Sequence, residues 1–214
     1  MTTELLAPAG GREALVAAVQ SGADAIYMGF GAFNARRSAR NFSDEEFRAA
    51  VSYCHLRGVK VYLTLNTLVT DRELPLLADA ARVASACGVD AILVQDWGVL
   101  ATLQKIIPDV PLHASTQMSL HTLSGVKESA RLGMTRAVLA RELNRGEIAE
   151  ICKKSPIEIE AFVHGALCMC YSGQCEMSAV IGRRSGNRGA CAQPCRLPYG
   201  FSGKANAHPL SLKD

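Results

Sequence analysis

The stretch RGVKVYLTLN, residues 57–66, predicts a strand that begins directly after the end of a helix. Its glycine suits the left-handed position just past a helix, and the β-branched apolar run that follows is typical of a strand buried on both faces. The same pattern recurs in SGADAIYMG (21–29), CGVDAILVQ (87–95) and LGMTRAVLA (132–140). The repetition predicts a parallel sheet with helices between its strands.

The segments between these glycines have the periodicity of helices. Ser43 and Glu46 have the spacing of a capping box, which predicts the start of a helix. Apolar residues then recur at helical spacing from Phe47 to Cys54 and from Leu74 to Ala81. The alternation predicts strands near 3–7, 24–28, 59–65, 90–94, 111–114, 136–140 and 157–163, and helices near 11–21, 43–57, 71–87, 97–107, 122–132 and 144–154.

This alternation favours an α/β fold. Seven strands and six helices in turn predict a (β/α)8 TIM-like barrel, with an open doubly wound sheet as the alternative. The barrel is incomplete at the C-terminal end, because no further helix is evident before Asp214. We expect barrel units one to seven at 1–163, a cysteine-rich segment at 164–200, and the start of a truncated continuation at 201–214.

Composition narrows the class of protein. Of the 214 residues, 49% are hydrophobic and 20% are charged, which is typical of a globular domain with a sizeable core. A net charge of +3 is too small to imply a nucleic-acid partner by itself. No apolar run reaches the ~20 residues that a membrane span needs, and the N-terminus lacks the layout of a signal peptide. A cytoplasmic protein without membrane association is expected.

Five of the eight cysteines lie in EAFVHGALCMCYSGQCEMSAVIGRRSGNRGACAQPCRLPY, residues 160–199. In a reducing compartment, clustered thiols indicate a metal, a cluster or redox chemistry more often than disulfides. The spacing departs from the paired short knuckles of structural zinc sites, whereas iron–sulfur clusters tolerate irregular loops. The other cysteines, Cys54, Cys87 and Cys152, lie on predicted helices and are expected to be inert.

Polar side chains follow the predicted strands at the end where barrel active sites lie. Each of these side chains alone could have a purely structural role, such as capping a helix or forming a solvated ion pair. Together they suit the binding of a polar, anionic small ligand. They are Arg36 and Arg37 after the second strand, Asn66 after the third, Gln95 and Asp96 after the fourth, Ser115, Thr116 and Gln117 after the fifth, Arg141 and Glu142 after the sixth, and His164 after the seventh.

The cysteine-rich segment is also basic. After Glu176 no acidic residue occurs until Asp214, which leaves four arginines locally unopposed, at Arg183, Arg184, Arg188 and Arg196. The positive charge of these arginines would offset the negative charge of a tetrathiolate cluster. It also suits the binding of a phosphate backbone or an anionic substrate.

EAFVHGALCMCYSGQCEMS (160–178) resembles the signature of the collagenase-like peptidase family U32, and GNRGACAQPCRLPY (186–199) is similar to the segment that follows it there. ELLAPAG, GADAIYMG, HASTQMS and LSLKD also match, so the resemblance covers essentially the whole chain. The segment RSGNRGACAQPCRLPYG looks closest to the longer, ribosomal-RNA-type members, of which this chain would be an N-terminal part.

The resemblance implies an iron–sulfur protein. The better-understood members of the family hydroxylate without molecular oxygen: some act on transfer-RNA wobble uridine, one on a ribosomal-RNA cytidine, and a pair in anaerobic ubiquinone synthesis. The RNA-directed members depend on prephenate as hydroxyl donor. Carried over to this sequence, the resemblance implies a [4Fe–4S] cluster on Cys168, Cys175, Cys191 and Cys195, and excludes Cys170, where relatives often have another residue.

The leading hypothesis is therefore an enzyme that hydroxylates ribosomal or transfer RNA with this cluster and prephenate. Position and charge suggest Arg36, Asn66, Gln117 and Arg141 as ligands of the anionic donor and Arg183, Arg184 and Arg188 as contacts to RNA phosphate, while His164 and Glu142 are the catalytic candidates. One alternative is a U32-type peptidase with a His164–Cys168 pair, which leaves the other cysteines without a purpose. Another is a non-catalytic iron–sulfur or zinc scaffold that needs a partner chain or further domains.

Overall fold

The structure is a computed structural model that describes residues 3–31, 33–35, 42–165, 167–201 and 204–208. Its main sheet has seven parallel strands in chain order, β1 (Leu6–Ala9), β2 (Ala25–Gly29), β3 (Lys60–Leu65), β4 (Ala91–Val94), β5 (Leu112–Ala114), β6 (Arg136–Val138) and β7 (Glu158–Glu160). The predicted parallel α/β sheet is confirmed.

Helices follow the first six strands and cover the outside of the sheet. They are α1 (Arg12–Gln20), α2 (Asp44–His55), α3 (Leu74–Ala86), α4 (Trp97–Ile106), α5 (Leu123–Arg131) and α6 (Arg145–Lys154). A short α7 (Met177–Gly182), which the sequence pattern did not predict, lies in the cysteine-rich segment. β8 (Tyr199–Phe201) and β9 (Lys204–Ala207) form a separate antiparallel pair. In the described part of the chain no helix combines the length and apolar character needed to cross a membrane.

The recurring glycines stand where the chain turns from helix to strand. Gly22, Gly58, Gly88 and Gly133 have φ of 90°, 72°, 82° and 85°, in the left-handed region that other residues rarely adopt. Gly58 shows the arrangement, since its backbone N–H donates to the carbonyl of His55 at the end of α2. The predicted capping box is also present, with Ser43 accepting from the backbone of Glu46 and the Glu46 side chain accepting in return. Local sequence signals, glycine and the capping box, therefore determine where these helices begin and end.

The sheet is curled rather than flat. β1 and β6 are five strand positions apart, which in a flat sheet would separate them by about 24 Å. Yet Arg136 at the start of β6 donates to Glu4, two residues before β1, over 2.7 Å between Nη1 and Oε1. Tyr62 of β3 donates to the same carboxylate over 2.9 Å. The curvature is that of a TIM-like barrel, as predicted, and its interior holds a small apolar cluster of Ala25, Tyr62, Ala91, Leu93 and Val138.

A buried charge network closes the N-terminal end of this interior. The Arg136 side chain is 9% exposed and also pairs with Glu158 at 2.6 Å and with Glu160 at 3.5 Å. Burial by itself would raise the pKa of Glu4, but the hydrogen bonds from Arg136 and Tyr62 lower it overall.

The same burial acts on the neighbouring titratable groups. It raises the pKa of Glu160, and together with the Arg136 charge it lowers the pKa of His113 to about 3. His113 is thus a neutral, structural residue inside the barrel.

Replacing Arg136 should strongly destabilise the barrel. Arg136→Met removes the guanidinium that pairs with the partly buried carboxylates of Glu4 and Glu160 and leaves Glu4 with Lys60 and Tyr62, so we expect a loss of about 3–5 kcal/mol in the free energy of unfolding. Arg131→Met is the matched control, because it breaks an exposed pair with Glu128 on α5 and should cost less than about 0.5 kcal/mol. Urea unfolding of both variants measures the difference, and equal midpoints would show that the network adds nothing.

Candidate functional site

Three polar side chains join the C-terminal ends of the strands. Asn66 after β3 accepts a hydrogen bond from the backbone of Ala35 at 3.0 Å and donates to Ser115 Oγ after β5 at 3.1 Å. Gln95 after β4 donates to the carbonyl of Asn66 at 2.9 Å. Asn66 is therefore buried at the mouth of the barrel, where its amide joins loops and does not cap a helix, whereas Asp96 does cap α4, accepting from the backbone of Gly98 at 2.7 Å.

The cysteine-rich segment lies over these strand ends. On the side of β3 and β4, the carbonyl of Asn187 accepts from the Leu68 backbone at 3.0 Å and from Gln95 Nε2 at 3.1 Å. Arg188 donates to the carbonyl of Leu68 at 3.2 Å and pairs with Glu73. The hydrogen bonds that Glu73 accepts from Arg188 and Thr70 lower its pKa to about 2. Arg188, predicted to contact RNA, thus joins the segment to the barrel here.

Ser172 joins the segment to the other side of the mouth. It is fully buried, and its backbone N–H donates to Glu142 Oε1 at 3.0 Å. Arg141 Nε donates to Ser172 Oγ at 3.2 Å, and the Ser119 hydroxyl donates to the Ser172 carbonyl. Glu142, a predicted catalytic group, is therefore engaged in holding the loop between Cys168 and Cys175. Sequence reasoning did not single out Ser172; its only signal was a serine–glycine turn between two cysteines.

Gly173 allows this loop to lie directly on the barrel. Its φ is 76°, and a Cβ at this position would lie 2.0 Å from the carbonyl oxygen of Gln117 and 2.7 Å from its carbonyl carbon. Real Cβ atoms do not approach a backbone so closely, so only glycine fits. The Gln117 side chain is also held in this region, and its buried Oε1 has no hydrogen-bond partner among the described residues.

Arg141 connects the barrel mouth with the thiols. In addition to its bond to Ser172, its Nη2 lies 3.3 Å from Cys168 Sγ and its guanidinium carbon 5.8 Å from the centre of the Phe162 ring. Cys168 and His164 are both exposed, and the contact described for the Cys168 sulfur is with Arg141.

Several described contacts lie next to the cysteines that the sequence predicts as ligands. Burial and the charges of Cys175 and Cys168 raise the pKa of the Cys170 thiol. At Gly186, a Cβ would lie 3.7 Å from Cys191 Cβ and 3.8 Å from the Cys175 carbonyl. Near Cys195, the side chain of Arg196 donates to the carbonyl of Leu167, the residue before Cys168, at 2.9 Å.

These residues fit a thiolate-bound iron–sulfur cluster in their chemistry. The cysteine-rich segment is rich in thiols and arginines, and thiolate ligands suit iron–sulfur clusters or zinc rather than magnesium or calcium. Among the described residues, however, no three cysteine, histidine or carboxylate side chains are already arranged to hold a metal ion. Binding of a cluster here would therefore require these side chains to rearrange.

The remaining predicted site residues are the arginines at 36, 37, 183 and 184. Arg36 and Arg37 lie outside the described residues. Arg183, at the end of α7, has φ of 55°, and both it and Arg184 are exposed. Arg184 donates through Nε to the carbonyl of Ala190 at 2.9 Å, which leaves its terminal nitrogens at the surface of the segment. Their role toward RNA stays a prediction.

The sequence matches the family described as Peptidase family U32 over residues 10–214. The chain is 43% identical to a 23S rRNA 5-hydroxycytidine synthase of Escherichia coli (strain K12), covering 99% of this chain and 33% of that protein. It is 38% identical to tRNA hydroxylation protein P1 of Bacillus subtilis (strain 168), covering 98% of this chain and 50% of that protein.

Other similarities are to a protein named for a different activity and to a solved structure. A collagenase of Porphyromonas gingivalis (strain ATCC BAA-308 / W83) is 36% identical over 99% of this chain and 53% of its own length. The solved structure of the U32 peptidase Mk0906 has a TM-score of 0.65 and 19% identity, covering 77% of this chain and 70% of that one, which supports the fold alone. The chain spans between a third and about half of these curated relatives.

Substituting Gly173 should loosen the cysteine-rich segment. Gly173→Ala places a methyl group against the Gln117 carbonyl and adds about 1–2 kcal/mol of left-handed backbone strain, so we expect faster hydrogen exchange in residues 167–176. Gly182→Ala is the matched control in the same segment, since a Cβ there meets nothing within 4 Å. Exchange followed by mass spectrometry measures both. Equal exchange in the two variants would contradict the close packing.

Proposed function

Because the chain belongs to peptidase family U32, we propose that it carries the cysteine-bearing barrel part of an RNA hydroxylase. The observation that carries this proposal is the 43% identity to a 23S rRNA 5-hydroxycytidine synthase across 99% of this chain. The similarity to a tRNA hydroxylation protein at 38% supports the same chemistry on a second kind of RNA. Ribosomal and transfer RNA are thus the two candidate substrates.

In this proposal Cys168, Cys175, Cys191 and Cys195 hold a [4Fe–4S] cluster. Support comes from the short distances at Gly186 to Cys191 and Cys175, and from the hydrogen bond between Arg196 and Leu167, which neighbour Cys195 and Cys168 in the sequence. A cluster bound there would supply electron-transfer chemistry that does not need molecular oxygen. The guanidinium of Arg141 beside Cys168 offsets part of the thiolate charge.

The anionic donor, with prephenate as the proposed compound, would bind at the barrel mouth next to Cys168. Arg141 provides a guanidinium suited to a carboxylate, and the buried Gln117 Oε1 provides an acceptor for a hydroxyl group. Asn66 would act indirectly by holding the loops after β3 and β5 together. Arg36 completes the proposed set from outside the described residues.

RNA phosphate would meet the basic surface of the cysteine-rich segment. Arg183 and Arg184 are exposed there, and arginine is well suited to phosphate oxygens. Arg188 already pairs with Glu73, so its contribution to RNA binding would be the smaller one.

The collagenase similarity supports a second function, a thiol peptidase. It would require His164 to activate Cys168 as a nucleophile. The contact of the Cys168 sulfur with Arg141 favours a ligand or anion-binding role instead. The third function, a scaffold for a partner chain, predicts the same cluster or a zinc ion but no dependence on Arg141.

Anaerobic purification should yield about four irons and four sulfides per chain, as a [4Fe–4S] cluster requires. Cys168→Ser and Cys175→Ser should each lower the iron content severalfold, because a cubane needs all its ligands. Cys152→Ser is the control, since this exposed cysteine lies on α6 away from the segment. Zinc without sulfide, in protein never exposed to air, would contradict the cluster.

The RNA hydroxylase proposal is tested by nucleoside mass spectrometry. RNA lacking the modification, incubated anaerobically with the loaded protein, a reductant and prephenate, should gain one oxygen atom on a pyrimidine. Arg141→Ala should lower the yield at least about tenfold through loss of a charge-assisted hydrogen bond. Iron content is measured in parallel, so that lost activity with retained iron identifies donor binding. Unchanged hydroxylation in Arg141→Ala would contradict its role in donor binding. No hydroxylation by the unchanged, fully loaded protein would favour the scaffold, and cleavage of a peptide by unloaded protein would favour the peptidase.

A further inference from the structure

Two exposed aromatic side chains accompany the Arg141–Cys168 contact. Tyr171 is 61% exposed and Phe162 is 43% exposed. The guanidinium of Arg141 lies 5.8 Å from the Phe162 ring and also binds Ser172, the residue next to Tyr171. We name Phe162, Arg141 and Tyr171 the aromatic ledge; its arginine contacts the exposed sulfur of Cys168.

The ledge is held in place by the barrel. The Tyr171 ring meets the ring of His121 edge-on, with centroids 5.6 Å apart and planes at 74°. His121 itself donates through Nδ1 to the carbonyl of Ser119 at 2.6 Å. Ser172, which follows Tyr171, is fully buried. A large ring that is held by this contact but is still mostly exposed is preorganised to receive a flat ligand.

The surroundings of the ledge select the kind of ligand. Leu167 and Met169, which flank Cys168 in the chain, are also exposed, at 48% and 46%. The same segment carries Arg183 and Arg184, both exposed, and has no acidic residue between Glu176 and the end of its described part at His208. A segment with exposed rings and exposed cations is complementary to a polymer of flat bases and phosphates, and this combination binds single-stranded nucleic acid.

We propose that the aromatic ledge binds an unstacked base of single-stranded RNA, packing it on Tyr171 beside Cys168. This rests on the proposed function and specifies the form of its RNA substrate. A base inside a duplex has both faces covered by its neighbours, so it offers no face to Tyr171. Enzymes that modify a base take it out of the stack. Duplex RNA of the same sequence would therefore be a poor ligand.

The test compares the affinities of a single-stranded RNA and its duplex, both of about 12 nucleotides, by fluorescence anisotropy. The anaerobically loaded protein should bind the single strand at least about tenfold more tightly, and Tyr171→Ala should weaken that binding by about tenfold, the scale of one base–aromatic stack. Tyr171→Phe should retain the affinity, because stacking needs the ring and not the hydroxyl. A 2-aminopurine base in the single strand should lose fluorescence on binding to the unchanged protein and to Tyr171→Phe only.

Tyr53→Ala is the matched control, because its ring also contacts an arginine, Arg57 at 3.7 Å, but stands on α2. It should bind RNA as the unchanged protein does. Equal affinity for single strand and duplex, or no effect of Tyr171→Ala, overturns the proposal. Binding of no RNA at all overturns it as well, and would direct attention to a protein partner for the same apolar surface.

The two proposals can fail separately. If Tyr171→Ala hydroxylates and binds RNA like the unchanged protein, the stacking is overturned and the RNA hydroxylase remains. If single-stranded RNA binds through Tyr171 but no pyrimidine gains oxygen, the stacking is supported and the hydroxylase proposal fails.

Discussion

The close approach of Gly173 to the backbone of Gln117 is the contact on which the candidate site depends. It lets the loop between Cys168 and Cys175 lie directly on the strand ends, where Ser172 can be buried between Glu142 and Arg141. A side chain at this position would hold the loop away from the barrel and separate these hydrogen-bonding groups. The position of the loop that carries Cys168, Tyr171 and Cys175 therefore depends on this contact.

Charged residues have different roles at the two ends of the barrel. At the N-terminal end, Arg136 is buried among carboxylates and its network stabilises the curled sheet. At the C-terminal end, polar groups join loops to one another, and Arg183 and Arg184 remain exposed. This division agrees with the general rule that barrels place stability at the first end and chemistry at the second.

The engagement of Glu142 and Arg188 changes how their roles are understood. Both were chosen from sequence as groups that act on a ligand, yet each makes hydrogen bonds that join the cysteine-rich segment to the barrel. A residue in such a position acts on a ligand through the geometry it imposes. The same holds for Asn66, whose amide connects two strand ends. Substitutions at these sites would therefore alter both the arrangement of the segment and any activity.

The sequence by itself determined the order of strands and helices, because hydrophobic periodicity, capping residues and left-handed glycines are local signals. It also placed Asn66, Gln95, Gln117 and Arg141 at one end of the barrel, since parallel strands bring their C-terminal ends together. Only the tertiary structure decided which of these groups meet. The burial of Ser172, the Arg141–Cys168 contact and the pairing of Arg188 with Glu73 join residues from 27 to 115 positions apart. No local pattern encodes such pairs, because they depend on how the cysteine-rich segment packs across the curled sheet.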